Sequence, residues 1–186
     1  MNKRKKISFF KTLIIIFSLP TIVNSITTSG EMKQDEVWSD TILITGDVVV
    51  QGVTLTILPG TVIKFATVND NIVEGNQEQI FLIAMLDGAI QAIGDPDKPI
   101  LFTTQSANPQ PGSWGQIHLI ALKNDPLTIF KYCIFEYNRA GIGMRNDAGL
   151  PEVSAPQIEN CIFRYFSMSG IYGTSGCAAT ISNCVM

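Results

Sequence analysis

A six-residue phrase occurs twice in the second half of this chain and starts again near its end. Tyr132-Cys133-Ile134-Phe135-Glu136-Tyr137 matches Asn160-Cys161-Ile162-Phe163-Arg164-Tyr165 at four of six positions, and Asn183-Cys184-Val185-Met186 opens a third copy. Gly141-Ile142 and Gly170-Ile171 follow the first two cysteines by 8 and 9 residues. The cysteines themselves are 28 and 23 residues apart. That unit is too long for one hairpin and suits one turn of a solenoid built from several short strands.

The first half has the composition of such strands. Thr41 to Thr45, Val48 to Val50, Val53 to Ile57 and Thr61 to Phe65 are β-branched runs punctuated by Gly46-Asp47, Gln51-Gly52 and Leu58-Pro59-Gly60. Period-two alternation puts Ile42, Ile44, Leu55, Ile57, Ile63 and Phe65 on buried faces and turns Lys64 outward. No window from residue 38 onward carries a capped helical period. The expectation is an all-β chain, and three short strands per coil stacked coil on coil make a parallel β-helix. Equivalent residues then form ladders at the strand spacing of about 4.8 Å. Cys133, Cys161 and Cys184 are expected as one inward ladder, and Phe135, Phe163 and Met186 as another. Asn160 and Asn183 are expected to stack at a turn, with their amides bonding along the column. Glu136 and Arg164 should pair between neighbouring coils as an exposed ion pair. A sandwich would need hairpin turns every ~8–12 residues and leaves the repeat unexplained.

Three further stretches carry a resemblance. They are Val53-Thr54-Leu55-Thr56-Ile57-Leu58-Pro59-Gly60-Thr61-Val62-Ile63-Lys64-Phe65, then Asp87 to Gly94 continuing through Lys98-Pro99-Ile100-Leu101-Phe102-Thr103, and Gly112-Ser113-Trp114-Gly115-Gln116-Ile117. With the Asn-Cys repeats they span about residues 40 to 186. The chain resembles the right-handed parallel β-helix repeat proteins of the pectate-lyase-like superfamily, of the secreted bacterial type. The resemblance implies a right-handed, single-stranded parallel β-helix. That superfamily holds lyases, hydrolases, adhesins and surface proteins, so it implies fold rather than chemistry. Its lyases bind Ca2+ through acidic residues clustered on stacked strands, with a basic residue abstracting the proton. No such cluster is visible here, since Asp70, Asp87, Asp125 and Asp147 are scattered among turns.

Residues 1–25 have the features of a secretory leader. Lys3 to Lys6 are positive, Thr12 to Leu19 is apolar and ends at Pro20, and Val23 and Ser25 are small residues suited to a cut after Ser25. The apolar stretch is shorter than the ~20 residues of a spanning helix, so no membrane span is expected after cleavage. Residues 26–37 form a polar lead, and residues 38–186 form the β-helix domain. The chain's formal charge is −3, but five of its thirteen basic residues lie in the leader. The remainder carries eight basic and sixteen acidic residues, a net of −8, which argues against nucleic acid and anionic membrane surfaces as partners. Met186 falls inside a strand of the third copy, so the solenoid is expected to be incomplete at its C-terminal end. Val68 to Gln79, polar and acidic, is expected as an insertion loop.

Candidate site residues are few. With one histidine, His118, a multi-His metal site is excluded. Asp95 and Asp97 could contribute to a Ca2+ site, but Gly94-Asp95-Pro96-Asp97-Lys98-Pro99 reads first as a turn, and no cofactor is expected. His118, between Ile117 and Leu119, should face outward, where it is solvated or touches sugar. Trp114 is a corner packing residue or a sugar platform, and Tyr137, Tyr165 and Tyr172 are candidates for an aromatic column with the same two readings. Arg139 and Arg145 are placed in a loop that interrupts the first repeat and could line a groove. Glu136 with Arg164 could also serve as a carboxylate and a substrate-binding arginine, though glycoside hydrolysis needs a second carboxylate. The four cysteines are expected as free thiols, with Cys177 the one best placed to pair, to Cys161 or Cys184. The leading functional expectation is a secreted or cell-surface module that binds glycans, such as polysaccharide, or other cell-surface components without catalysis. The alternative is a polysaccharide lyase or glycoside hydrolase whose catalytic coils are missing or unrecognised.

Overall fold

The computed structural model describes residues 25–67, 79–122, 127–146, 156–174 and 177–186. The expected leader up to Asn24, and Asp70, Asp125 and Asp147, lie outside the described residues, as does nearly all of the expected insertion loop. Among the described residues there are strands and no helix, and every strand pairs in parallel. The chain is a parallel β-helix.

Three walls enclose one core. The first wall stacks β2 (Glu36–Trp38), β4 (Thr54–Ile57), β7 (Ala89–Ile93), β10 (Ile129–Lys131), β13 (Gln157–Glu159) and β16 (Thr180–Ser182). The second stacks the N-terminal half of β3 (Thr41–Val50) with β5 (Val62–Phe65), β8 (Ile100–Thr104), β11 (Cys133–Glu136) and β14 (Ile162–Arg164). The third stacks the C-terminal half of β3 with β6 (Leu82–Met85), β9 (Ile117–Ile120), β12 (Ala140–Arg145) and β15 (Ser169–Gly173). β3 is thus one strand serving two walls, where the sequence suggests two runs broken at Gly46-Asp47. Its ladder changes partner from β5 to β6 between Ile44 and Val48. Asp47, fully buried at that change, accepts the Phe81 N–H on Oδ1 at 2.8 Å. β1 (Ser25–Glu31) pairs along both halves of β3. Residues 26–37, read from sequence as a polar lead, therefore contribute strands to the stack.

The inward rows form the core. Ile42, Ile63, Phe102, Phe135 and Phe163 are successive register partners, all at most 1% exposed. The Phe102 and Phe135 rings stack at 4.7 Å and those of Phe135 and Phe163 at 4.8 Å, the strand spacing itself. Phe130 on the first wall meets Phe102 and Phe135 edge-on. Gly141 and Gly170 make room for this column: a Cβ on Gly141 would lie 2.3 Å from the Gly170 carbonyl oxygen and 2.4 Å from the Phe163 ring. Met186, expected to extend the column, is 62% exposed.

The corners turn on single residues. Tyr132, Asn160 and Asn183 take φ near +50° between the first and second walls, and Tyr137 and Tyr165 do so between the second and third. That conformation suits Asn and costs other L-residues roughly 1–2 kcal/mol. Backbone bonds between coils hold it, with Tyr132 N donating to Glu159 O and Asn160 N to Ser182 O. The asparagine column is thus fastened by the main chain.

Candidate functional site

Alternation along β5, β8, β11 and β14 leaves two rows on the outer side of the second wall. One is apolar: Val62, Leu101, Ile134 and Ile162 are register partners. The other is polar and runs Lys64, Thr103, Glu136, Arg164. Glu136 and Arg164 stand directly opposite in neighbouring coils. Arg164 donates to Glu136 Oε2 from Nε at 2.9 Å and from Nη2 at 2.6 Å, and Thr103 Oγ1 donates to Oε1 at 3.0 Å. The pair forms between neighbouring coils as expected from sequence, but only Arg164 is exposed. Glu136 is 8% exposed because the flanking Thr103 and Arg164 side chains cover it.

Each end of this surface is built by a corner. At one end the Asp95–Lys98 turn closes with two backbone bonds, and Asp95 Oδ1 accepts the Asp97 N–H at 3.0 Å, so one oxygen of this carboxylate fixes the turn. With Tyr132, Ile134, Asn160 and Ile162, the Asp95, Pro96 and Pro99 side chains line a groove of about 240 Å³. At the other end Tyr137 and Tyr165 stack at 5.0 Å, and the Arg164 guanidinium carbon lies 5.6 Å from the Tyr165 ring centre.

The other sequence candidates lie elsewhere. Trp114 is fully buried, stacked on Phe65 at 3.9 Å, and its Nε1 donates to the Glu136 carbonyl at 2.9 Å. It is a corner packing residue and offers no face to sugar. His118 sits on the outer side of the third wall but is only 3% exposed, beside Phe81. The expectation of a solvated histidine fails because that outer side holds a second buried apolar cluster, with Val49, Phe81, Ile83 and Ile120. Arg145 is the last residue of β12, not part of a loop, and Arg139 immediately precedes that strand, its N–H donating to Trp114 O and Gly115 O. Arg139 is exposed. Tyr172 stands apart from the other tyrosines, over Gly143 and hydrogen-bonded to Gln116.

Cys133, Cys161 and Cys184 occupy equivalent places where the first wall turns into the second, fixed by the Ile134–Ile162 and Ile162–Val185 pairings. All four cysteines are free. Cys177 pairs with neither Cys161 nor Cys184, and lies beside Gly173 and Thr174. Burial pushes the Cys133 thiol well above its ordinary value and raises Cys184 as well. Among the described residues, no group of three or more His, Cys, Asp or Glu side chains is arranged to hold a metal ion, and no helix is long and apolar enough to cross a membrane.

The sequence pointed to Glu136 and Arg164 but missed Thr103 and the proline-walled groove. A signal was present: Ile100-Leu101-Phe102-Thr103 is the register partner of Cys133-Ile134-Phe135-Glu136, one coil earlier than the cysteine repeat. A family model described as a pectate-lyase like beta helix domain matches residues 30–124, just over half of the chain. No curated protein and no solved structure matches.

Proposed function

Because the chain belongs to the family of pectate-lyase-like β-helix domains, we propose that it is an exported module that holds polysaccharide along the outer side of its second wall without cleaving it. The observation that carries this reading is the engagement of Glu136. A carboxylate acting as acid, base or nucleophile needs an oxygen free to meet its substrate. Both Glu136 oxygens are taken, by Thr103 and by two donors of Arg164. The outward groups around it are suited to holding a chain of sugars. Tyr165 is 54% exposed and supplies an aromatic surface, Lys64 supplies a cation, and the groove at Pro96 and Pro99 supplies an apolar wall.

Export rests on the charged, apolar and small residues of positions 1–25. The strand pairing is compatible with a cut after Ser25. Such a cut removes the Ser25–Thr41 pairing and leaves Ile26 to Glu31 on β3.

The test is affinity electrophoresis of the whole chain through gels containing a uronate polymer or a neutral polysaccharide. A parallel assay follows new reducing and unsaturated ends. Retardation in at least one gel without new ends is expected. Tyr165→Ala should weaken retention about fivefold, the equivalent of ~1 kcal/mol from one aromatic contact. New chain ends would establish the lyase or hydrolase alternative instead. Equal retention of the Tyr165→Ala variant would move the binding surface off the second wall.

A further inference from the structure

We propose that the cysteine column is a reversible thiol–disulfide site, in which Cys161 and Cys184 form a bridge between two coils on reaction with a low-molecular-weight disulfide. The geometry begins with register. Ile162 pairs with Val185, Val185 N donates to Cys161 O at 2.9 Å, and Phe163 N donates to Val185 O at 2.8 Å. Cys161 and Cys184 are therefore opposite each other at about the 4.8 Å strand spacing, inside the Cα range of roughly 4.4–6.8 Å that a disulfide spans. Both thiols face the same way, each donating to main-chain carbonyls of the first wall: Cys161 to Glu159 O and Phe130 O, Cys184 to Ser182 O and Ile158 O.

Access sets the order of events. Cys133 and Cys161 are fully buried, and Cys184 is half-buried. A small disulfide RSSR reaches Cys184 first. The Cys184 thiolate attacks one sulfur, forming a mixed Cys184–S–S–R bond and expelling RS−. The Cys161 thiolate then attacks the Cys184 sulfur, forming the Cys161–Cys184 bond and expelling the second RS−. The two protons lost by the cysteines end on the two RS− groups, so one RSSR is reduced to two RSH as two thiols are oxidised to one disulfide. Cys133 stands in the same column beyond Cys161 and keeps its thiol.

Side chains that run parallel must lean together, since bridged Cβ atoms lie about 3.8 Å apart. Such a strained bond is readily reduced, which makes the bridge labile rather than permanent. Its consequence is a staple that ties β14 to the strand segment around Val185 under oxidising conditions and releases it under reducing ones.

The experiment treats the folded whole chain with mixtures of oxidised and reduced glutathione. It then quenches with acid, alkylates free thiols after denaturation, and maps the peptides by mass spectrometry. The expected product joins the Cys161 and Cys184 peptides, with Cys133 and Cys177 alkylated. Cys161→Ala should trap glutathione on Cys184 as a stable mixed disulfide. The wild-type map decides, independently of how that variant folds. A persistent mixed disulfide at Cys184, a bond to Cys177, or no reaction at the column would each overturn the proposal.

Discussion

Glu136 is fastened from two directions at once. Arg164, one coil on, holds its carboxylate through Nε and Nη2, while Trp114, from the coil before, donates its indole N–H to the Glu136 carbonyl. The residue thereby links the outer polar row to the corner core, where Trp114 lies flat against Phe65. Its side chain stabilises the stack and orients Arg164 beside Tyr165.

The Glu136–Arg164 contact should therefore be worth more than an ordinary surface pair, which contributes roughly 0–1 kcal/mol. Arg164→Ala removes two of the three donors to the Glu136 carboxylate and leaves Thr103 as its remaining side-chain donor. That change should cost about 1–2 kcal/mol in urea unfolding. Adding Glu136→Gln should cost little further, since the group left uncompensated is then neutral. Strict additivity of the two substitutions would show that the pair is not coupled.

The phenylalanine column should respond steeply to truncation. Phe135 stacks on Phe102 and Phe163 and meets Phe130 edge-on. Phe135→Ala should destabilise by about 3–5 kcal/mol, through lost burial and an unfilled cavity between coils. Phe135→Leu keeps much of the volume and should lose well under half of that. Similar unfolding midpoints for the two variants would mean that neighbouring coils collapse to fill the gap.

The buried thiols should make stability fall in alkali. The unfolded chain releases its thiol protons near pH ~8.5. In the folded chain, burial keeps the Cys133 proton bound well beyond its ordinary value, and the same cause acts on Cys184. As pH rises past the unfolded value, the unfolded state binds fewer protons and gains relative to the folded one. Cys161 acts in the opposite sense, because a hydrogen bond from the Cys133 side chain favours its thiolate. Cys133 is displaced the furthest of the three, so a net decline is expected, read as urea midpoints between about pH 8 and about pH 10. Cys133→Ala should lower stability at every pH yet flatten that decline. An unchanged slope would assign the pH dependence to other groups.

By itself the sequence determined the coil. The two six-residue copies specify that Cys133 lies opposite Cys161 and Glu136 opposite Arg164, and both pairs are in register. Alternation also identified the inward residues Ile42, Ile44, Leu55, Ile57, Ile63 and Phe65, each at most 1% exposed. These are consequences of strand period and of like residues stacking on like, both local properties. Tertiary structure decided what covers the outside. Alternation places Lys64 and His118 alike on outer faces, yet His118 is buried among a second apolar cluster while Lys64 remains partly exposed. Period alone cannot separate them, because burial of an outer face depends on which distant segments lie over it. The same holds for Glu136, covered by Thr103 and Arg164, residues 33 and 28 positions away in sequence that the stacking of coils brings within a hydrogen bond.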